Sequence, residues 1–182
     1  MRALVVFESM FGNTRDVAAA IADGLADHLE VELLEVGAAP ATIPEDVELV
    51  VLGGPTHGHG MTTEQSRADS AKRFEGTIVS PRIGIREWLE GVVDVSRIPW
   101  IAFFDTRLKG PTLLWGSAAH GAEKRLRTAR LRPVVPPESF FVGGPTGPVI
   151  DRLLDGELER ARAWGASLAS LVAQKAASEE PA

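Results

Sequence analysis

The eight residues Phe7-Glu8-Ser9-Met10-Phe11-Gly12-Asn13-Thr14 crowd two hydroxyls, an amide and a glycine into a short segment. They follow an apolar run and precede a helical pattern, so they sit where a strand hands over to a helix. A helix N-terminus presents unpaired backbone N–H groups and the positive end of its dipole, and both favour an anion. Gly12 lets the backbone approach a ligand closely, and Ser9 and Thr14 add hydroxyl donors. No cation appears until Arg15. The pattern suits a phosphate monoester held by N–H and O–H groups rather than by charge. A bare helix cap on Asn13 or Thr14 would need no hydroxyl at position 9.

Other phosphate chemistries fit poorly. No Gly-rich run ends in Lys-Ser or Lys-Thr, and no G-x-G-x-x-G follows the first strand. His57 and His59 flank a glycine but lack a third ligand at metal-binding spacing, so no metal is expected. Cysteine is absent, which removes disulfides, iron–sulfur clusters and thiol redox chemistry together. Redox activity must therefore rest on a bound, non-covalent cofactor.

The elements that position these residues alternate. Ala3 to Phe7, Val31 to Val36, Val47 to Leu52, Ile98 to Phe104 and Glu138 to Val142 read as strands, most of them buried on both faces. From Thr14, Val17, Ile21 and Leu25 mark a helix; Gly116 to Arg130 and the stretch from Val149 mark two more. This predicts a parallel sheet with helices on both faces, joined by right-handed crossovers. Thr62 to Arg82 is polar and too long for a simple connection, so it reads as a partly helical excursion over one edge of a ligand site. Gly-Gly-Pro-Thr occurs at 53–56 and again at 143–146, each time after a strand.

The chain has 182 residues, 45% of them hydrophobic and 24% charged, which fits one domain over 1–175 with a frayed tail at 176–182. A net charge of -6 argues against nucleic acid as the main partner. No apolar run is long enough for a signal-peptide core or a membrane span, so a cytoplasmic protein with no membrane partner is expected. The basic run from Lys124 to Arg132 reads as a solvated helix face.

Ser9-Met-Phe-Gly-Asn-Thr14, after a strand ending in aromatic Phe7, resembles the phosphate loop of flavodoxins. Gly53-Gly-Pro-Thr-His-Gly58 and Phe103-Phe-Asp-Thr-Arg107 extend the resemblance in the family's order, as does Gly156 to Gly165 in the last helix. It implies an α/β flavodoxin-like doubly wound sandwich, a five-stranded parallel sheet of order 2-1-3-4-5, with the ligand at the carboxyl ends of the strands. Flavodoxin with FMN is itself the standard illustration of that placement. The resemblance also implies FMN as cofactor, with Ser9, Met10, Phe11, Gly12, Asn13 and Thr14 around its phosphate. Pro55, Thr56, His57 and Gly58 would flank the ring on one side, and Phe104, Asp105, Thr106 and Arg107 on the other. Gly58, with Gly60 as runner-up, is the glycine expected beside the flavin N5.

Many flavodoxins stack Tyr or Trp on the flavin, and this chain has no Tyr. His57, Phe104 or Trp115 remain as substitutes, or one face of the ring stays open to a substrate. The leading expectation is electron transfer through FMN to a partner protein, with no catalytic side chain. An FMN-dependent NAD(P)H:quinone-type oxidoreductase is the alternative, because Gly-Gly-Pro-Thr-His-Gly also resembles the corresponding loop of the quinone reductase branch. A binding module that has lost redox function is the third.

Overall fold

The computed structural model describes residues 1–57, 60–73, 77–91, 100–111, 116–127, 133–144 and 152–179. Strands β1 (Arg2–Phe7), β2 (Glu30–Glu35), β3 (Val47–Pro55), β4 (Trp100–Leu108) and β5 (Glu138–Val142) form one sheet of order β2-β1-β3-β4-β5. Every pairing between neighbouring strands is parallel, as the alternation of patterns requires. The helices are α1 (Asn13–Leu25), α2 (Glu64–Arg73), α3 (Ile85–Gly91), α4 (Ala118–Arg127) and α5 (Glu157–Glu179).

Period-two alternation of side chains divides the sheet residues between two cores. Ala3, Val5, Leu49, Val51, Ala102 and Phe104 face the layer of α1 and α5, while Leu4, Val6, Val50, Leu52, Ile101 and Phe103 face the layer of α3 and α4. Phe104, Phe140 and Trp164 close the first core as edge-to-face rings, with centroids 6.2–6.5 Å apart.

Two strands run further than the sequence pattern predicts. β3 does not stop at Leu52: Gly53, Gly54 and Pro55 continue the ladder opposite Phe104, Asp105 and Thr106. Glycine normally weakens a strand, but here the missing side chain is what permits the pairing. A Cβ on Gly53 would fall 1.9 Å from the ring of Phe104, which fills that space. β4 likewise carries Asp105-Thr106-Arg107 inside the sheet rather than in a loop after it. The last helix starts at Glu157, not at 149, and runs past 176 to Glu179. The polar excursion does contain helix, as α2, and α3 follows it. No helix among the described residues is long and apolar enough to cross a membrane.

Candidate functional site

The strand order places the ends of β1, β3 and β4 side by side, and a cleft lies over them, open at its mouth. Its lining comes from the β1–α1 loop (Ser9, Met10, Phe11, Asn13, Thr14), the end of β3 (Pro55, Thr56, His57) and the end of β4 (Thr106, Arg107, Leu108), with Val142 of β5.

The loop is shaped by local bonds. Gly12 sits at φ 99°, a left-handed conformation that an L side chain resists, and its N–H donates to Ser9 Oγ at 3.2 Å. Ser9 Oγ thus accepts within the loop, and its own proton is left for a ligand. Thr14 Oγ1 and Thr106 Oγ1 lie 2.7 Å apart, tying α1 to β4. One hydroxyl proton serves that bond, so the pair still has a second to offer. From outside, Ser80 clamps the loop: its Oγ accepts from Ser9 N–H at 3.0 Å, and its N–H donates to the Ser9 carbonyl at 2.8 Å.

The opposite wall is fixed through Thr56. Its N–H donates to the Thr106 carbonyl at 2.9 Å, its hydroxyl donates to Asp105 Oδ2 at 3.2 Å, and it accepts from Ala118 N–H at 2.8 Å. His57 lines the cleft half-buried, and burial lowers its pKa, so the imidazole stays neutral near pH 7. Phe11 is 41% exposed at the mouth.

Two residues expected beside the ligand face elsewhere. Phe104 is 1% exposed, with its ring in the core between Phe140 and Trp164, so it cannot stack in the cleft. Strand parity is the reason: Phe104 points to the α1/α5 layer. Asp105 is fully buried and caps α4, accepting from Ser117 Oγ at 2.5 Å and from Ala119 N–H at 3.1 Å. Gly58 and Trp115 lie outside the described residues. Leu108 and Val142 line the cleft without having been anticipated. Their only signal was a position at the ends of neighbouring strands. Gly143 N–H instead bonds the Arg152 carbonyl, consistent with a structural second Gly-Gly-Pro-Thr.

Beneath the loop, Glu8 is 1% exposed. Thr62 Oγ1 donates to one carboxylate oxygen, Ile85 N–H donates to the other at 2.9 Å, and Arg67 Nη1 donates to Thr62 Oγ1 at 2.9 Å. Arg67 also reaches Glu87 Oε2 at 3.1 Å. Burial pushes the Glu8 carboxyl up, and the bonds from Thr62 and Ile85 and the charge of Arg67 do not cancel it. The folded state then keeps a proton that the unfolded chain has released, so Glu8 costs stability as pH rises above the ordinary glutamate range. Glu8→Gln is therefore expected to gain stability relative to the wild type as pH rises through and above that range, as read by denaturant unfolding at each pH. A difference that stays constant with pH would show that folding does not raise the Glu8 carboxyl.

The family model of flavodoxin matches residues 5–127, more than half of the chain and all of the cleft's elements except β5. The chain belongs to the flavodoxin family. Solved structures agree on the fold. A flavodoxin from the domain Archaea superposes with a TM-score of 0.61 at 19% identity, covering 95% of this chain and 99% of that one. The Streptococcus pneumoniae flavodoxin gives 0.58 at 16%, covering 93% and 99%. The flavodiiron protein from Giardia intestinalis gives 0.63 at 18%, with 99% of this chain lying on 38% of the larger one. None of the curated proteins matches the chain. Flavodoxins are flavoproteins, and the cleft of this one fits a flavin phosphate: a left-handed glycine, two hydroxyl protons, a helix N-terminus and no carboxylate among the described lining.

Proposed function

We propose that this flavodoxin binds one FMN and serves electron transfer to a partner protein. The observation that carries the reading is that one cleft joins the Ser9–Thr14 loop at the start of α1 to the ends of β3 and β4. The loop holds the phosphate through Ser9, Thr14 and the N–H groups of the first turn of α1, which complement its charge. Met10, Phe11, Gly12 and Asn13 complete that cradle. Pro55, Thr56, His57, Thr106 and Arg107 orient the ring from the two strand ends. Bound there, FMN supplies reversible uptake of electrons, and no side chain need react. The walls are braced from behind, by Asp105 under Thr56 and by Thr106 against Thr14, so that they hold one shape.

Extraction of the cofactor and mass spectrometry test the reading. FMN is expected as the dominant species, because no cation in the loop stands ready for an adenylate half. FAD, a deazaflavin or no flavin at all would overturn it.

A two-electron NAD(P)H:quinone-type reductase is favoured by one feature. Phe104 is withdrawn into the core and Leu108 and Val142 line the wall, so Phe104 does not cover a face of a flavin bound in the cleft. Turnover of NAD(P)H with a quinone would establish that activity, and its absence leaves the carrier.

A further inference from the structure

Three consecutive residues after β1 are each bonded to the segment that follows β3. Glu8 accepts from Thr62 Oγ1 and Ile85 N–H, Ser9 exchanges two bonds with Ser80, and the Met10 carbonyl accepts from Val79 N–H at 3.2 Å. That segment is anchored beyond the loop as well. Arg82 Nη2 donates to the Gly37 carbonyl at 3.2 Å, and Val79 packs against the core that α1 and α5 cover. Ser9 and Ser80 are both fully buried. A buried N–H must find an acceptor, and for Ser9 that acceptor is the Ser80 hydroxyl, 3.0 Å away. The bonds from Val79 N–H and Ser80 N–H would form with any side chain at position 80, whereas the one to Ser9 N–H needs an acceptor atom there. With its N–H turned to Ser80 and its Oγ accepting from Gly12 N–H, Ser9 is held in one orientation.

We infer that Ser80 is a positioning residue for the phosphate: it aims the Ser9 hydroxyl, so that the polar excursion helps distinguish a phosphorylated flavin from an unphosphorylated one. The inference rests on FMN as the ligand. Without an acceptor at position 80, the Glu8–Ser9 peptide turns to satisfy its N–H elsewhere, and the turn carries the Ser9 Cβ and Oγ with it. A hydroxyl bond to a phosphate oxygen is short and directional, so a small displacement weakens it. Glu8 on one side and Met10 on the other keep the loop attached, so the effect is one of aim rather than of folding. The flavin ring meets the ends of β3 and β4 instead, and its contacts do not depend on Ser80.

The experiment titrates the full chain, freed of flavin, with FMN and with riboflavin, which lacks the phosphate, and reads the quenching of flavin fluorescence. Ser80→Ala is expected to raise the Kd of FMN about tenfold and to leave that of riboflavin unchanged. Ser80→Cys puts a weaker acceptor at the same position and should fall between the two, which carries the test if Ser80→Ala does not fold. In a Ser9→Ala background, Ser80→Ala should cost little further FMN affinity, because the hydroxyl that Ser80 aims is already gone. Equal losses for FMN and riboflavin would overturn the inference by tracing the effect to packing. An unmoved FMN Kd, or full additivity of the two substitutions, would overturn it too. A wild type that binds riboflavin as tightly as FMN strikes the phosphate reading instead, and one that binds neither strikes the cofactor reading.

Discussion

Thr14→Ala is expected to weaken FMN binding by about 1–3 kcal/mol, roughly fivefold to 150-fold in Kd. Thr14 is 2% exposed and stands in the first turn of α1, where the helix N-terminus already favours an anion. Its Oγ1 shares a 2.7 Å bond with Thr106 Oγ1, and that pair holds one proton beyond what its own bond consumes. Alanine removes that donor, and Thr106 then loses its partner on α1 as well. Ser9→Ala should act alike, because Ser9 Oγ both offers a proton and accepts from Gly12 N–H to keep the loop in its left-handed turn. Quenching of FMN fluorescence measures the affinity, and circular dichroism checks that the fold is intact. Gly144→Ala, at the exit of β5, serves as the control and should leave affinity nearly unchanged. Equal affinity in wild type, Thr14→Ala and Ser9→Ala would mean that the phosphate is held elsewhere.

The sequence exposed the phosphate loop readily because its chemistry is contiguous. Hydroxyl, glycine and helix start fall within a few residues, and backbone geometry does the rest. The parallel sheet was legible for a similar reason, since buried strands show as short apolar runs such as Leu49-Val-Val-Leu52. The far wall was harder to read. Whether Phe104 or Thr106 faces the ligand depends on where β4 ends, and the strand runs on through Arg107 to Leu108. An extension of that kind flips nothing, yet it converts presumed loop residues into alternating strand residues with fixed faces. The sequence pattern alone therefore places Phe104 and Asp105 at the cleft, whereas Phe104 packs in the core against α5 and Asp105 is buried as a cap of α4. Glu8 was hidden for another reason. Its partners Thr62, Arg67 and Ile85 are distant in sequence, and a glutamate beside a glycine-containing loop carries no mark of burial.

The position of α1 itself depends on contact with α5, and this gives the largest expected loss of stability. Gly24 of α1 lies so close to α5 that a Cβ would fall 2.0 Å from the Arg162 carbonyl oxygen and 2.9 Å from the Ala166 nitrogen. Gly165 meets α1 reciprocally, its Cβ position lying 2.3 Å from the Ile21 carbonyl oxygen. At an unconstrained helical site, alanine for glycine stabilises by about 1 kcal/mol. Here the obstacle is backbone, which cannot rotate aside as a flexible side chain does, so the helices must separate. Overpacking of this kind costs about 1–3 kcal/mol and sometimes more, and the separation also opens the packed interface along α1 and α5. The clash should outweigh propensity, leaving Gly24→Ala destabilised by about 2 kcal/mol and its melting temperature lower by about 4–8 °C. Gly91→Ala in α3, where nothing lies within 4 Å of the added Cβ, isolates the propensity effect and should be neutral or slightly stabilising. Once the helices have moved apart, Gly165→Ala should cost less in the Gly24→Ala background than alone, because the two changes relieve one another's contact. Thermal and denaturant unfolding of the three single variants and the double variant measure these differences. A Gly24→Ala protein as stable as Gly91→Ala would show that α1 and α5 do not touch backbone to backbone.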